Sequence, residues 1–274
     1  MPDLISALTT QLQERILIID GAMGTMIQQR QLSESDFRGE RFNDWKKDLK
    51  GNNDVLNITR PDIITDIHLD YLRAGADIIE TNTFNAQAVS LADYDMADLA
   101  YELAKAGAEA AQAAVSRHQE EAPDRRCYVA GAMGPTTKTA SISTDVNHPG
   151  ARDISYTELV QAYYDQARGL LDGGADLLIV ETIFDTLNAK AAFFAIQELF
   201  KDLKRDWPVM ASVTFIQKDS NRGVTGQTVE AFYNSIEHVP LLSIGMNCAL
   251  GPKEMRPLIE ELAQIAHHPI SCYP

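Results

Sequence analysis

The chain has 274 residues, 45% of them hydrophobic, and a formal net charge of −15 at pH 7. That length supports a substantial core, in one large α/β domain or two smaller ones. The acidic balance excludes sequence-independent binding to nucleic acid or anionic membrane, because both need a basic face.

The N-terminal stretch MPDLISALTTQLQERILIIDG carries Asp3 and Glu14 and has no basic start, so it does not read as a signal peptide. No apolar run approaches the ~20 residues that cross a bilayer. Three cysteines, Cys127, Cys248 and Cys272, cannot all pair within one chain. A reduced, cytoplasmic setting is therefore expected.

RILIID (15–20) is the first of seven short apolar runs that read as parallel strands covered on both faces. The long segment 24–75 follows, where FRGERFNDW and GNNDVLNITRP read as loop and excursion ahead of the helix PDIITDIHLDYLRAG. ADIIETN (76–82) is the second run. A helical period then covers Asp98 to Val115, with Leu99, Leu103, Ala106 and Ala110 on one face. CYVAGAMG (127–134) comes next, followed by the helix 155–174, which has a Ser/Thr start and a Gly-Gly stop. ADLLIVET (175–182), a helix over 186–203, PVMASVTF (208–215) and LLSIGMNC (241–248) continue the alternation. A helix over 251–266 and the run PISCY (269–273) complete it.

Strands alternating with helices predict βαβ units and a parallel sheet. AGADIIETNTFNA (74–86) and GGADLLIVETIFDTLNA (173–189) share a plan: helix end, Gly-Ala-Asp turn, apolar strand, then Glu-Thr. Such self-similarity suits a (β/α)8 TIM-type barrel, although an open doubly wound sheet can also show it. No linker interrupts the chain, so residues 1–274 are expected to form one barrel domain. Seven runs against the eight strands of a closed barrel predict that the last βα unit is missing.

In such a barrel the chemistry sits at the C-terminal ends of the strands. Those positions hold Asp20, Glu80-Thr81-Asn82, Thr136 and Thr137, Glu181-Thr182, Thr214 and Asn247-Cys248. Asp20 can cap the following helix instead. Thr81, Thr182 and Thr214 can satisfy backbone groups. A Glu ending an apolar strand is costly to bury without a partner, which favours a functional role for Glu181. Cys127, Cys248 and Cys272 can each be small core side chains. No histidine lies at a strand end, and His267-His268 beside Cys272 matches no standard zinc spacing.

Taken in order, ILIIDGAMGTMIQ, FRGERF, LKGNNDVLNITRP, GADIIETNTFNA, GAMGPT, ASISTDVNHP, ETIFDTLNAKAA and GMNCALGP resemble the homocysteine-binding barrel of cobalamin-dependent methionine synthases, within the homocysteine S-methyltransferase superfamily. The resemblance runs over essentially the whole chain. It implies a zinc-dependent methyltransferase module that activates homocysteine as a thiolate and accepts a methyl group from methylcobalamin, giving methionine. Cys248 matches one of three zinc thiolates of that family. Asp20 and Glu181 match positions that receive the substrate ammonium, Gly21 and Ala22 suit its carboxylate, and Asn247 either orients the loop or is a further substrate contact. Cobalamin and methyltetrahydrofolate would be bound by modules absent from this chain. Betaine or S-methylmethionine as donor is the alternative within the same chemistry.

The family's other two zinc thiolates come from a Gly-Gly-Cys-Cys-Gly motif, and this sequence contains no adjacent cysteine pair. One thiolate does not make a zinc site. The resemblance therefore implies a truncated barrel, expected to be inactive by itself, with a catalytically inert fragment that at most binds homocysteine as the alternative.

Overall fold

Six of the seven apolar runs become strands in the computed structural model, which describes residues 4–216 and 220–274. The elements in chain order are α1 (Leu4–Glu14), α2 (Met23–Gln29), α3 (Glu34–Arg38), α4 (Leu56–Thr59), α5 (Pro61–Ala74), β1 (Ile78–Glu80), α6 (Ala88–Leu91), α7 (Ala100–Glu121) and β2 (Tyr128–Met133). They continue with α8 (Tyr156–Asp172), β3 (Leu177–Ile183), α9 (Thr186–Leu203), β4 (Val209–Val213), α10 (Val229–Ile236), β5 (Ser243–Asn247), α11 (Pro252–Ile265) and β6 (Ile270–Tyr273). The chain is an α/β protein, as its alternating runs require. Two compact units can be described, one of Gln13–Met133 and Asp165–Leu178, the other of Met1–Leu12, Gly134–Tyr164 and Ile179–Pro274.

In the first of these units β1 and β2 pair in parallel, with Ile78 beside Tyr128 and Glu80 beside Ala130. Helices α5 and α7 pack together over a seam that includes Ile64, Ile67, Leu72, Leu103 and Ala111, all fully buried. Burying side chains of this size contributes about 1.5–3 kcal/mol each before entropy is counted. Gly107 of α7 leaves the room that Asn57 and Thr83 fill. A Cβ there would come within 2.3 Å of Thr83 Cγ2 and 2.7 Å of Asn57 Nδ2.

The Gly-Ala-Asp repeat has a structural meaning in the same unit. The Asp77 N–H donates to Ile18 O (2.8 Å) and its carboxylate accepts from Ile18 N–H (2.9 Å). Asp176 repeats this on Val129, donating to its carbonyl (2.9 Å) and accepting from its N–H (2.9 Å). Each aspartate thus grips one residue of a neighbouring segment by both backbone groups. Burial pushes the Asp77 carboxyl up, but its bonds to Arg15, Ile18 N–H and Arg125 outweigh that and hold it below the usual range. Asp176 has no such guanidinium bond, and burial leaves it raised.

The run 15–20 departs from expectation. It forms a single parallel bridge, Ile19 to Ile78, rather than a strand, and Ile16 and Ile18 are 82% and 52% exposed. Among the described residues its ladder partner is β1, through that one bridge, and the exposure of Ile16 and Ile18 shows that the run is not covered on both faces. The excursion 24–75 also holds more helix than expected, in α2, α3 and α4. Ser33 caps α3 through a capping box with Asp36.

In the second unit Ile179–Ile183 of β3, then β4, β5 and β6, follow one another in chain order. Met210 faces Ser243, Val213 faces Met246, and Asn247 faces Tyr273. Fully buried Ile179, Ala211 and Ile244 form the strand core, with Leu199 of α9 and Leu262 of α11 also fully buried. Helix α10 was not evident from periodicity. Thr228 caps it by accepting from Ala231 N–H (3.2 Å), and Phe232, Tyr233 and Ile236 are buried. Cys127 is buried in the first unit, as expected of a core thiol. Cys272 is exposed, which corrects the core reading. Its sulfur lies 3.2 Å from the thioether of buried Met255 on α11, while the residue as a whole stays open to solvent. Among the described residues no helix is long and apolar enough to cross a membrane.

Candidate functional site

The C-terminal ends of β3 and β5 bring three of the singled-out polar side chains together. Glu181 is 6% exposed, and Asn247 is fully buried. Asn247 Nδ2 donates to Thr182 Oγ1 (2.7 Å) and, at 3.3 Å, to Glu181 Oε2. Its Oδ1 accepts from the Thr182 N–H at 3.0 Å. Burial pushes the Glu181 carboxyl up to about 7, against a weaker opposing bond from the Thr182 hydroxyl. No ion pair to Glu181 is present among the described residues. It is a buried carboxylate held by neutral donors only.

The backbone around this network is strained. Thr182 has φ +54°, and Cys248 and Ala249 follow Asn247 with φ +60° and +62°. A β-branched residue in the left-handed region is a true outlier, and each such position costs about 1–3 kcal/mol. Two of the six non-glycine residues with positive φ among the described residues, Thr182 and Cys248, therefore adjoin Glu181 or Asn247, and a third, Ala249, follows Cys248. Strain of this kind persists only where surrounding bonds over-determine it, and the Asn247 carboxamide supplies two such bonds to Thr182.

Cys248 is exposed at the end of β5, its N–H donating to Tyr273 O (3.3 Å). Cys272, in register with Met246, turns its sulfur to Met255 and so does not join it. Among the described residues no group of three or more His, Cys, Asp or Glu side chains is placed to hold a metal ion. A zinc site needs three or four protein ligands, so the donor set around Cys248 does not fit one.

Thr214 corrects the sequence reading in the same unit. Its hydroxyl is buried and has no hydrogen-bond partner among the described residues, so it satisfies no backbone group there. Loop residues 136–141 are fixed to the start of α9. Asp185 caps that helix through Leu187 N–H (2.9 Å) and accepts from Ser141 Oγ (2.6 Å). Asn188 accepts from Ala140 N–H (2.9 Å) and donates to Thr136 Oγ1 (3.0 Å). Thr136 is buried in this network, whereas Thr137 is exposed.

The other unit holds Asp20, Gly21 and Ala22. Asp20 does not cap α2, whose N-cap is Ala22 with no side-chain bond. Its two carboxylate oxygens instead accept from the Glu80 N–H, each at 3.1 Å. A Cβ on Gly21 would lie 3.1 Å from Tyr71 Oη, so this glycine permits the close approach of that ring. Burial first, then the Asp20 charge, raise the Tyr71 phenol. Tyr71 is a neighbour of Asp20 that the sequence reading missed, since its helix period marks only a helix face.

Thr81 does bond the backbone, accepting from Ala132 N–H (2.9 Å). Asn82 joins Asn57, which donates to Asn82 O (2.7 Å) and accepts from Asn82 Nδ2 (3.0 Å). Asp54 was also missed. It is buried, accepts from Asn85 N–H (3.0 Å), and burial pushes it up to about 7. The unusual polar run GNNDVLN was its available signal.

A family model described as homocysteine S-methyltransferase matches residues 17–274. Among solved structures, the oxidized form of the homocysteine methyltransferase MmuM from Escherichia coli is 24% identical, covers 99% of this chain and 86% of its own, and superposes with a TM-score of 0.75. The metallated form is 23% identical over 99% and 87%, with a TM-score of 0.75. For the apo form the values are 23%, 99%, 86% and 0.70. At these identities the likeness bears on the fold.

Proposed function

The chain belongs to the homocysteine S-methyltransferase family, and we propose that it binds homocysteine as a methyl acceptor beside Glu181 and Asn247. The observation that carries this reading is Glu181 itself. A carboxylate 6% exposed at a strand end, without an ion pair, lacks the cation that would offset its desolvation. The ammonium of an amino acid supplies that cation in a charge-assisted hydrogen bond. Asn247 fixes the strained Thr182 backbone next to it and so positions the carboxylate. Asp20, Gly21 and Ala22 remain proposed substrate contacts on the ground of the family resemblance.

The reaction class follows from the acceptor. Homocysteine loses its thiol proton to solvent, its sulfur attacks an electrophilic methyl carbon, and an S–CH3 bond forms. The bond from that methyl to its donor breaks, with the electron pair leaving on the donor. A thiol has a pKa near ~8.5, so something must favour the thiolate at neutral pH. Cys248 corresponds to a family zinc ligand, but the described residues around it do not fit a zinc ion. The motifs FRGERF, GNNDVL and SISTDVNHP support methylcobalamin as the donor, presented by a cobalamin-binding module as partner. Betaine and S-methylmethionine are the competing donors.

Methionine formation from homocysteine tests this reading, with each of the three donors offered to the chain alone and to the chain with a cobalamin module added. Turnover with methylcobalamin alone among the donors supports the methionine synthase type. Turnover with a sulfonium or ammonium donor overturns the donor assignment and keeps the acceptor. A chain that neither turns over nor binds homocysteine contradicts the whole reading.

A further inference from the structure

A cavity lies at the N-terminal ends of β4 and β5. It measures about 560 Å³ and is bounded by the end of α9, the 204–207 turn, Val209 at the start of β4, and Val239-Pro240 ahead of β5. Glu181 and Asn247 stand at the C-terminal ends of β3 and β5, so this cavity is separate from the site proposed for homocysteine. Its volume falls within the ~300–1,000 Å³ typical of small-molecule sites. Phe193, Phe200 and Trp207 provide an aromatic lining.

The mouth is basic although the chain is strongly acidic. Lys204 and Arg205 make no ion pair or side-chain hydrogen bond among the described residues, whereas Lys201 is paired with Glu198. Asp206 is the carboxylate among the lining residues. The Arg205 guanidinium lies 4.4 Å from the centre of the Trp207 ring, and Phe200 packs on the same indole at 5.5 Å. A cation at a helix C-terminus also offsets the helix dipole, so the charges alone assign nothing.

The backbone adds an independent observation. Lys204 ends α9 in the left-handed conformation, with φ +53°. Its N–H and that of Arg205 close the helix on Lys201 O (3.3 Å) and Phe200 O (3.2 Å). Glycine is the usual residue at such a cap because it carries no Cβ penalty. Lys204 stands there at a backbone cost, among the residues that line the aromatic cavity.

We propose that this cavity binds a small organic anion with a flat apolar body, the body against Trp207 and Phe200 and the anionic group at Lys204 and Arg205. The aromatic walls take the apolar part, and the unpaired cations take a carboxylate, sulfonate or phosphate in charge-assisted bonds. This inference does not depend on homocysteine as substrate.

Fluorescence tests it with 1-anilinonaphthalene-8-sulfonate as the anion and N-phenyl-1-naphthylamine as its uncharged counterpart. The chain has two tryptophans, so Trp45→Phe leaves Trp207 as the sole reporter. One saturable site that quenches Trp207 is expected. Arg205→Glu should weaken the sulfonate by about tenfold or more, the worth of one charge-assisted contact, and leave the neutral dye unchanged. Lys204→Gly separates binding from folding, because it should keep or raise the melting temperature while weakening the sulfonate. Sulfonate affinity indifferent to both substitutions overturns the proposal. So do several weak sites that leave Trp207 unquenched.

Discussion

Asn247 grips Thr182 with both ends of one carboxamide, donating to its hydroxyl at 2.7 Å and accepting from its N–H at 3.0 Å. The grip crosses from β5 to β3 and holds a β-branched residue at φ +54°, next to the buried Glu181. Asn247→Ala removes both bonds and leaves the Thr182 N–H without its acceptor. A loss of about 1–3 kcal/mol in urea unfolding is expected. Homocysteine affinity should fall further than stability does, because Glu181 loses its positioning. Stability unchanged by the substitution would mean that the carboxamide restrains nothing.

Ala249 is exposed and left-handed at φ +62°, so its methyl group costs backbone energy and packs against little. Ala249→Gly should raise stability by about 0.5–1 kcal/mol, the relief of the left-handed penalty less the added chain entropy. Thermal unfolding checks it. A lower melting temperature would show that the turn after Cys248 depends on the alanine side chain.

The raised Glu181 carboxyl gives homocysteine binding a pH dependence of definite sign. Burial moves the group from its ordinary 4.5 to about 7, so the free chain holds the proton more tightly than the unfolded chain does. Its contribution to stability is therefore present below pH 4.5 and lost as pH rises through 7. An ammonium ligand favours the charged carboxylate and expels that proton. Homocysteine affinity should rise between pH 6 and 8, by at most about tenfold per unit below 7, and Glu181→Gln should flatten the curve. Calorimetry in two buffers of different ionisation enthalpy counts the proton released. An affinity that is flat with pH in the unmodified chain would put the ammonium elsewhere.

Zinc affinity should be low. Cys248 is exposed, and no cluster of three metal-ligating side chains accompanies it among the described residues. Dialysis against a weak chelator should leave well under one zinc per chain, and Cys248→Ser should change that content little. Tight stoichiometric zinc, lost on Cys248→Ser, would show that the chain assembles a donor set from elsewhere.

The strand ends were legible because buried parallel strands are continuous apolar runs, and the first polar residue after each run marks its C-terminal end. That signal located Glu181, Asn247 and Cys248 without any knowledge of their neighbours. The Gly-Ala-Asp repeat was visible too, though its reason was not: the grip of Asp77 on Ile18 and of Asp176 on Val129 is a tertiary contact. Composition cannot show how many neighbours a strand has. RILIID therefore read as buried, whereas Ile16 and Ile18 are exposed beside a single bridge. Cys272 misled for a similar reason, its apolar run reading as core where the residue is exposed. The left-handed backbone at Thr182 had no sequence signal at all, since no glycine marks it. Asp54 lay in a polar run that read as solvent-facing excursion, and its burial comes from the packing of that run.

Calorimetric titration with L-homocysteine, set against 4-mercaptobutanoate, which lacks the amino group, tests the proposed substrate contact most directly. The unmodified chain should bind one homocysteine and favour it over the deaminated analogue. Glu181→Gln should weaken homocysteine by about tenfold or more, as expected for losing a buried charge-assisted bond, and leave the analogue unchanged. Equal affinity of the unmodified chain and Glu181→Gln for homocysteine, or no heat from the unmodified chain, would contradict the assignment of Glu181 to the substrate ammonium.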